Sequence, residues 1–527
     1  MVVMRKALKY TGLSLLVFMV ILAVFAFSNM RDRHRGYYVD IDIFPPVPGT
    51  VYAGFSAMKI TPEVRDTWTD VEGNSRFRPA EGDTFQDITG TGEFDAVWMA
   101  GFHNGKPAQG VYDDLWARAM VIDDGHTRLA WVALDAIGFF GCDVIDVRKL
   151  LPESLGIDYA IISSSHTHSA PDLMGLWGPR DLRSGIDPAY KDYVKRQSVA
   201  AIEAAANQLR PARFRFAADP VNAASMITDT RQPTVINPEL RIMQAVDIET
   251  GSALGTLVQW DNHPETIWSR NLLITSDFPH YLRQGIEEGV WHGDSLVAPG
   301  QGGVAMFVAG NIGGLMTTSP SVGIECPFTD TIYYAPSFDK VRAQGLSLAR
   351  MALEALDSPE TAEMTAGGIT LRAKTINLPL QNRIFRLGAV LGLFDRGLTG
   401  WMKFRSEIAY WQLGPAGFLH HPGELYPEIA DGGIESPEGQ DFNIDPVEVP
   451  PLREIMRDEF KFITGMSNDM IGYIIPKSQW DREPPHTYGN DSPPYGEINS
   501  LGPDTGPILH SALKELITAG GNTFAPE

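Results

Sequence analysis

The sequence predicts an α/β fold: a layered domain built on a mixed sheet and preceded by one N-terminal apolar helix. Short uninterrupted apolar runs recur along the chain, which is typical of strands covered on both faces. Helical patterns lie between several of these runs, notably over residues 189–209 and 338–356, and this alternation indicates a layered α/β domain. A longer uncharged stretch stands apart from them near the N-terminus.

The N-terminal stretch covers residues 11–30 and follows the basic residues Arg5, Lys6 and Lys9. As a helix, about 20 residues rising about 1.5 Å each span the apolar core of a bilayer. The stretch is either a retained transmembrane anchor or a cleaved signal peptide with Ala26-Phe27-Ser28 as its cleavage site. The alternative of a buried core helix is disfavoured by the N-terminal position and the flanking basic residues. An anchor and a signal peptide both predict a membrane-anchored or secreted protein whose domain is extracytoplasmic, either periplasmic or extracellular.

The chain divides into three predicted segments. Residues 1–30 form the anchor or signal segment, and residues 31–50 form a linker that Pro45 and Pro48 stiffen. Residues 51–527 form one large domain, because a chain of this length buries a core without needing disulfides.

Charge and cysteine content exclude some classes of function. The net charge of -22 repels phosphates, so nucleic acid is not expected as a partner. The two cysteines, Cys142 and Cys326, are too few for a disulfide framework or a thiolate zinc knuckle. A single bond between them in an oxidising compartment stays open.

Six apolar runs each lead into a polar cluster. They cover residues 129–134, 159–162, 255–260, 304–308, 418–419 and 460–463. In α/β folds, ligands gather beyond the carboxyl ends of the strands. The sequence therefore predicts a site at the ends of these strands.

The sharpest local motif is Ser165-His166-Thr167-His168. In an extended backbone, positions i and i+2 share a face, so the two imidazoles are expected to project together. Neutral imidazole is a common zinc ligand, and a His-x-His pair is a frequent way to place two of them. The alternative is a polar strand end with hydrogen-bonded histidines.

Two further segments carry chemistry. Asn262-His263-Pro264 is followed by Ser276-Asp277. Glu424 is predicted to open a helix reaching Ile429, where its carboxylate ligates a metal or acts as a general base. The alternative for Glu424 is an acid that only complements the helix dipole.

The last segments concern Tyr473 and a possible lipid contact. Tyr473 follows Asn468-Asp469 and either stabilises an oxyanion, touches a metal or packs as an ordinary tyrosine. The apolar stretch 384–394, with scattered arginines, predicts an amphipathic helix. That helix lies on a membrane or packs its apolar face on the core.

Taken in order, these motifs resemble the neutral ceramidases, zinc-dependent amidases that split ceramide into sphingosine and a fatty acid. The resemblance spans about residues 52–509. It is carried by the segments 99–102, 115–119, 165–171, 260–277, 422–424 and 468–473.

The resemblance implies the layered α/β catalytic domain of that family and one Zn²⁺ ion. The implied metal ligands are His168, His263, Glu424, Tyr112 and Asp113. The implied catalytic residues are His166, Tyr473, Asp277 and Thr317, and the implied substrate-binding residues are Asn262, Asn311 and Asn468. Because the chain ends soon after Leu509, the family's C-terminal immunoglobulin-like domain is expected to be absent.

The sequence departs from the family pattern at two positions. Tyr112, next to Asp113, stands where the family has a histidine ligand. Met316 stands in the slot of the family's catalytic serine, and a thioether neither attacks a carbonyl nor donates a strong hydrogen bond. Thr317 takes the position of the catalytic serine only if the alignment with the family is shifted by one residue.

The predicted function is a metal-dependent hydrolase that cleaves the amide of ceramide or another N-acyl lipid with a zinc-activated water. Its expected partners are a lipid or other N-acyl small molecule and, through the N-terminal segment, a membrane. The first alternative is a non-catalytic lipid- or ligand-binding homologue, as Met316 and Tyr112 indicate. The second, a two-metal phosphoesterase or lactamase-like hydrolase, is disfavoured because Asp172 does not have the required spacing from the histidine pair.

Overall fold

The structure is a computed structural model that describes residues 2–45, 47–394 and 396–519. Its α-helices are α1 (Val2–Met30), α2 (Gly141–Leu150), α3 (Pro188–Ala206), α4 (Phe278–Glu288), α5 (Phe338–Leu356), α6 (Arg383–Leu391), α7 (Pro427–Asp431), α8 (Leu452–Ile455), α9 (Tyr495–Ile498) and α10 (Thr505–Thr518). Short 3₁₀ helices cover Pro79–Glu81, Glu153–Leu155, Asn222–Met226, Gly313–Leu315, Lys477–Gln479 and Thr487–Gly489.

The strands alternate with these helices along the chain. They are β1 (Asp40–Ile43), β2 (Val51–Lys59), β3 (Thr67–Thr69), β4 (Thr84–Gln86), β5 (Gly110–Val111), β6 (Trp116–Asp123), β7 (Arg128–Leu134), β8 (Tyr159–Ser164), β9 (Arg210–Asp219), β10 (Thr228–Asp229), β11 (Leu240–Asp247), β12 (Ala253–Trp260), β13 (Leu273–Ile274), β14 (Val290–His292), β15 (Ser295–Ala298), β16 (Val304–Ala309), β17 (Met316–Thr317), β18 (Ile324–Glu325), β19 (Ile332–Tyr333), β20 (Ala362–Met364), β21 (Ile369–Pro379), β22 (Lys403–Leu413), β23 (Ala416–His420), β24 (Glu424–Leu425), β25 (Phe460–Thr464) and β26 (Tyr473–Ile474).

Two mixed sheets form the centre of the molecule. The larger has nine strands in the order β16-β12-β11-β9-β2-β6-β7-β8, with β20 paired to β9. The smaller has five strands in the order β1-β21-β22-β23-β25. The pairs β12–β16, β7–β8 and β23–β25 are parallel, and the other pairs in these two sheets are antiparallel.

The two sheets pack face to face through large buried side chains. Trp131 of β7 meets Trp411 of β22 edge to face, with ring centroids 6.3 Å apart, and Phe418 of β23 stacks on Trp411 at 3.8 Å. The alternate residues of β7, such as Val132, point to the opposite face and pack in the cluster that contains α3. Both faces of the strand are buried, which explains its continuous apolar run.

Helices cover the outer faces of both sheets and complete four layers. On the larger sheet, α3 packs against β2 and β6, α4 against β16, and α5 against β9 and β11. On the smaller sheet, α10 packs against β21 and β22. The predicted fold class, a layered α/β domain with mixed sheets, is confirmed.

The predictions for individual strands and helices are confirmed with one exception. All six apolar runs are strands (β7, β8, β12, β16, β23 and β25), and both helical patterns are helices (α3 and α5). The prediction that a helix begins at Glu424 is wrong, because Glu424 lies in β24 and α7 begins at Pro427. Cys142 and Cys326 are not joined by a disulfide.

The predicted segment boundaries stay predictions. The linker 31–50 contains β1, which pairs antiparallel with β21 of the smaller sheet. Within the predicted domain 51–527, residues 520–527 lie outside the described residues.

The N-terminal helix is exposed over most of residues 9–28. In the part of the chain that the structure describes, Lys9–Met30 is the one helical stretch long and apolar enough to cross a membrane. Its C-terminal end contacts the domain, where Asn29 Nδ2 donates a hydrogen bond of 2.9 Å to the Val390 carbonyl of α6. The stretch fits the predicted anchor or signal segment.

Candidate metal centre and its cavity

The candidate site lies where several strands end. His166 follows β8, His263 follows β12, and Glu424 follows β23. Tyr473 is brought to Glu424 because β24 and β26 run parallel with these two residues opposite each other. This is the edge of the sheets at which the sequence predicts a site.

Three histidines form a compact cluster. One ring nitrogen from each of His166, His168 and His263 lies within 4.8 Å of the others, an arrangement that can hold a metal ion. The ring centroids of His166 lie 5.0 Å from those of both His168 and His263. The predicted extended backbone is wrong at His166, because β8 ends at Ser164 and His166 has a φ of 69°. This left-handed residue turns the two imidazoles toward the same space.

Glu424 faces two of these histidines. Its Oε2 lies 3.2 Å from His263 Nε2 and 3.7 Å from His166 Nε2. The other nitrogen of each ring contacts a backbone carbonyl: His263 Nδ1 lies 2.7 Å from Met316 O, and His166 Nδ1 lies 2.5 Å from Ile137 O. Carbonyl oxygens accept only, so each Nδ1 donates, and both Nε2 atoms are directed at Glu424 as metal-binding imidazoles require.

The protonation tendencies differ within the cluster: burial lowers the pKa of His263, but Glu424 and Glu265 together raise it above its ordinary value. Burial lowers the pKa of His166 to about 3, so this imidazole is neutral and its Nε2 lone pair is available. Burial alone raises the pKa of Glu424, but His166, His263 and Tyr473 together hold that pKa below its ordinary value. Glu424 is therefore an ionised acceptor.

His168 has a different partner from the other two histidines. Its Nδ1 lies 3.0 Å from Glu265 Oε2, and the other oxygen of Glu265 accepts a 2.6 Å hydrogen bond from Thr317 Oγ1. Both ring nitrogens of His168 are buried and neither makes a hydrogen bond to another described residue, so the contact of Nδ1 with Glu265 is an ion-pair contact. Burial alone raises the pKa of Glu265, but His168, His263 and Thr317 together lower it to about 2.

Glu265 is a site residue that the sequence motifs did not single out. It follows Pro264 directly, so it belongs to the segment 260–277 that carries the resemblance, and its acidic side chain was the available signal. Met316 and Thr317 differ in position: Thr317 lines a cavity at the site, whereas Met316 contributes its backbone carbonyl to His263.

A buried lysine lies behind the site. Lys106 is fully buried, and its Nζ has no hydrogen-bond partner among the described residues. The ammonium lies 5.7 Å from the ring centroid of Phe102, which in turn packs edge-on to His168 at 5.1 Å. Burial lowers the pKa of Lys106 to about 8, with Glu265 opposing that shift.

Three other predicted residues lie outside this cluster. Tyr112 is 42% exposed, stacks on Phe338 and shares a 2.9 Å hydrogen bond with Tyr281. Asp113 accepts hydrogen bonds from Thr275 and Ser276. Asp277 caps α4 by accepting from the Phe278 backbone amide and also accepts from the Ile267 amide outside that helix, and burial raises its pKa to about 6. None of these three side chains lines the cavity.

The three predicted substrate-binding asparagines also make contacts away from the cavity. Asn262 Nδ2 donates to Thr318 Oγ1 at 2.9 Å. Asn311 Oδ1 lies 3.3 Å from His421 Nε2. Asn468 donates to the Tyr159 hydroxyl and accepts from the Ile162 amide.

The histidines and Glu424 line one cavity of about 360 Å³. Its remaining wall is largely apolar and includes Phe102, Phe140, Leu176, Trp177, Phe385 and Phe394. Ligand sites commonly combine such an apolar lining with a few convergent polar groups. The arrangement can bind a molecule that has a long apolar part and one polar group presented to the histidines.

Comparison with known proteins finds structures with a similar fold. No family model matches the sequence. The structure is similar to the crystal structure of neutral ceramidase from Pseudomonas aeruginosa, with a TM-score of 0.60 and 16% sequence identity over 91% of this chain and 77% of that one. It is also similar to a ceramidase complexed with C2, with a TM-score of 0.58, the same identity and the same coverage. The resemblance inferred from the motifs is thus matched by a shared fold.

Proposed function

We propose that this protein is a metal-dependent hydrolase that cleaves the amide bond of ceramide or another N-acyl lipid outside the cytoplasm. The observation that carries the proposal is the convergence of His166, His263 and Glu424 on one end of a largely apolar cavity. A carbonyl presented there lies among the polar groups, and an acyl chain lies against the aromatic wall.

The donor set fits one zinc ion. Two imidazoles, a carboxylate and the neighbouring Tyr473 hydroxyl are nitrogen and oxygen donors of the kind that Zn²⁺ accepts. Both imidazoles are oriented by backbone carbonyls, as ligating histidines usually are. A bound zinc ion supplies Lewis-acid chemistry, lowering the pKa of water toward about 7 and polarising a carbonyl.

We assign His166 rather than His168 to the metal-binding set. The distances support this exchange of roles, because His166 Nε2 and His263 Nε2 both lie near Glu424 whereas His168 pairs with Glu265. His168 then acts on the substrate: its Nε2 faces the cavity without a partner and can donate a hydrogen bond to the oxygen that gains charge.

Glu265 and Thr317 complete the proposed machinery. Glu265 orients His168 through Nδ1 and holds the Thr317 hydroxyl at 2.6 Å. A carboxylate in this position stabilises a protonated His168, so the pair can pass a proton to the leaving amine. Tyr473, opposite Glu424, adds a second hydroxyl beside the reacting carbonyl.

A second candidate function is a lipid-binding protein without catalysis. Met316 in the slot of the family's serine favours it, because that side chain cannot act as a nucleophile. The contact between Thr317 and Glu265 favours hydrolysis instead, since it provides a hydroxyl and a carboxylate in the cavity.

The test uses the purified full-length chain in detergent. Bound metal is quantified, and fatty-acid release is measured from ceramides, other N-acyl amines and a phosphate-ester control. We expect about one metal ion per chain and hydrolysis of N-acyl substrates alone. Absence of both metal and hydrolysis would favour the binding protein, and cleavage of phosphate esters alone would favour a phosphoesterase.

A further inference from the structure

Helix α6 forms one edge of the cavity. Its Phe385 lines the cavity, while Ile384 and Leu387 on the same helix are 58% and 55% exposed. Leu391 at its end is 39% exposed, and Trp401, in the turn before β22, is 81% exposed. We call Ile384, Leu387, Leu391 and Trp401 the apolar rim. Four large apolar side chains beside a cavity are the kind of surface that marks an interaction site.

The N-terminal helix ends against the same part of the structure. α1 packs on α6, and Asn29 donates to the Val390 carbonyl of α6 at 2.9 Å. One residue further, the Met30 carbonyl accepts a 3.0 Å hydrogen bond from the Leu398 amide, which belongs to the loop leading to Trp401. Both sides of the rim are therefore tied to the last turn of α1.

The contact between α1 and α6 indicates which surroundings the apolar rim is exposed to. Lys9–Met30 has the length and composition of a membrane span, so in a bilayer its last turn lies at the membrane surface. Segments bonded to that turn lie at the same depth. Basic side chains surround this level: Arg31, Arg33 and Arg35 follow α1, and Arg383 and Arg386 are exposed on α6. Arginine beside apolar side chains suits an interface with lipid headgroups.

We propose that the apolar rim is inserted in the leaflet of the bilayer that α1 crosses, so that the cavity opens directly to lipid. The occupant of this surface is the membrane itself. Resting on the proposed function, the inference adds that the substrate's acyl chain slides from the leaflet past Phe385 to the histidines without crossing water. This arrangement selects substrates that are dissolved in the membrane.

A spectroscopic experiment tests insertion without using activity. In the full-length chain with Cys326→Ser, a nitroxide label is attached at Leu387→Cys and, as a control, at Leu296→Cys on β15, which is 48% exposed. The chain is reconstituted in vesicles of phosphatidylcholine and phosphatidylglycerol. We expect the label at 387 to collide with dissolved oxygen and to be shielded from a water-soluble nickel complex, with the opposite result at 296.

Equal nickel access at both positions would overturn the proposal. Shielding of position 387 from both oxygen and nickel would also overturn it, because a second protein copy rather than lipid would then cover the rim. Insertion of position 387 in a protein that hydrolyses no N-acyl substrate would leave this inference standing while the proposed function fails.

Activity provides the second arm. The double variant Ile384→Ser/Leu387→Ser is compared with Leu296→Ser/Val297→Ser, a control pair of similar exposure on β15. We expect the rim variant to hydrolyse a long-chain N-acyl lipid in vesicles about tenfold more slowly or worse. Its rate on a short-chain, water-soluble substrate should match that of the control. Equal losses on both substrates would contradict a membrane-seated rim.

Discussion

Glu265 contacts His168 and Thr317 at the same time: one carboxylate oxygen lies 3.0 Å from His168 Nδ1 and the other accepts a 2.6 Å hydrogen bond from Thr317 Oγ1. This single acid fixes the orientation of an imidazole and the position of a hydroxyl in one cavity. Under the proposed function, this buried carboxylate orients His168 for proton transfer and holds the Thr317 hydroxyl in the cavity.

Glu265→Gln should separate proton transfer from metal binding. The neutral amide no longer stabilises a protonated His168, so we expect kcat to fall about 100-fold. Metal content should not change, because Glu265 is assigned no ligand role. The measurements are kcat on an N-acyl substrate and metal per chain. Loss of the metal in this variant would make Glu265 a ligand instead.

Glu424→Gln should have the complementary effect. A neutral amide is a poor zinc ligand, so the variant is expected to lose both bound metal and hydrolysis. Its circular dichroism spectrum should match that of the unsubstituted chain, which checks that the fold is intact. Glu265→Gln is the matched control, as a buried glutamate changed in the same way. Full activity in Glu424→Gln would remove Glu424 from the site.

Removal of the metal should lower the melting temperature. A ligand that binds only the folded state stabilises it, by about 2.7 kcal/mol at 100 times its Kd. Chelator treatment should therefore shift unfolding of the chain to lower temperature, and added Zn²⁺ should reverse the shift. Glu424→Gln should melt at the same temperature with and without chelator. A chelator effect of equal size in that variant would point to a metal bound elsewhere.

Substitutions at 316 and 317 should have opposite consequences. Met316 contributes only its backbone carbonyl to His263, so Met316→Leu is expected to keep nearly full activity. Thr317→Val removes the hydroxyl that Glu265 accepts from and should lower kcat, while Thr317→Ser should retain it. The comparison is made by steady-state kinetics. Equal activity of the Val and Ser variants would exclude a role for the hydroxyl.

Lys106→Met should stabilise the fold and reduce activity. A buried ammonium without a hydrogen bond is costly, so we expect the free energy of unfolding at pH 7 to rise by roughly 1–3 kcal/mol. Activity should fall because Glu265 loses its neighbouring charge. Chemical denaturation and kinetics give the two readouts. A variant that is both less stable and fully active would contradict this view of Lys106.

The same lysine sets a pH dependence of stability. Its pKa is lowered from 10.5 to about 8 in the folded chain, so the unfolded chain binds the proton more tightly. The resulting penalty is fully present below about pH 8 and disappears as the pH rises toward 10.5. The stability advantage of Lys106→Met should therefore shrink over that window.

Several strands that are buried on both faces could be predicted from residue patterns alone. The strands of the larger sheet that are buried on both faces have continuous apolar sequences, as in β7 and β12. β21 was not predicted, because Arg372 and Lys374 interrupt its apolar pattern. In the structure, the Arg372 side chain is buried and forms an ion pair of 3.1 Å with Asp42 of β1. A pairing between strands so far apart in sequence leaves no local pattern.

The candidate site was predictable only where its motifs are local. The histidine motif and the segment around Glu424 stood out by composition, and the structure brings them together. Asp277 was misleading, because an acid before Phe278-Pro279 is a helix N-cap. Glu265 could not be singled out, since its contact with His168 depends on how two distant loops meet.

Gly101 shows how a residue without a functional group controls this chemistry. Its φ is 125°, and a Cβ built there would lie 3.0 Å from both the Cβ and the carbonyl oxygen of His168. A larger residue at this position would press against His168, although every reactive side chain of the site would still be present in the sequence. A list of reactive side chains is therefore not enough to recognise a competent site of this kind, and the space available at position 101 has to be examined as well.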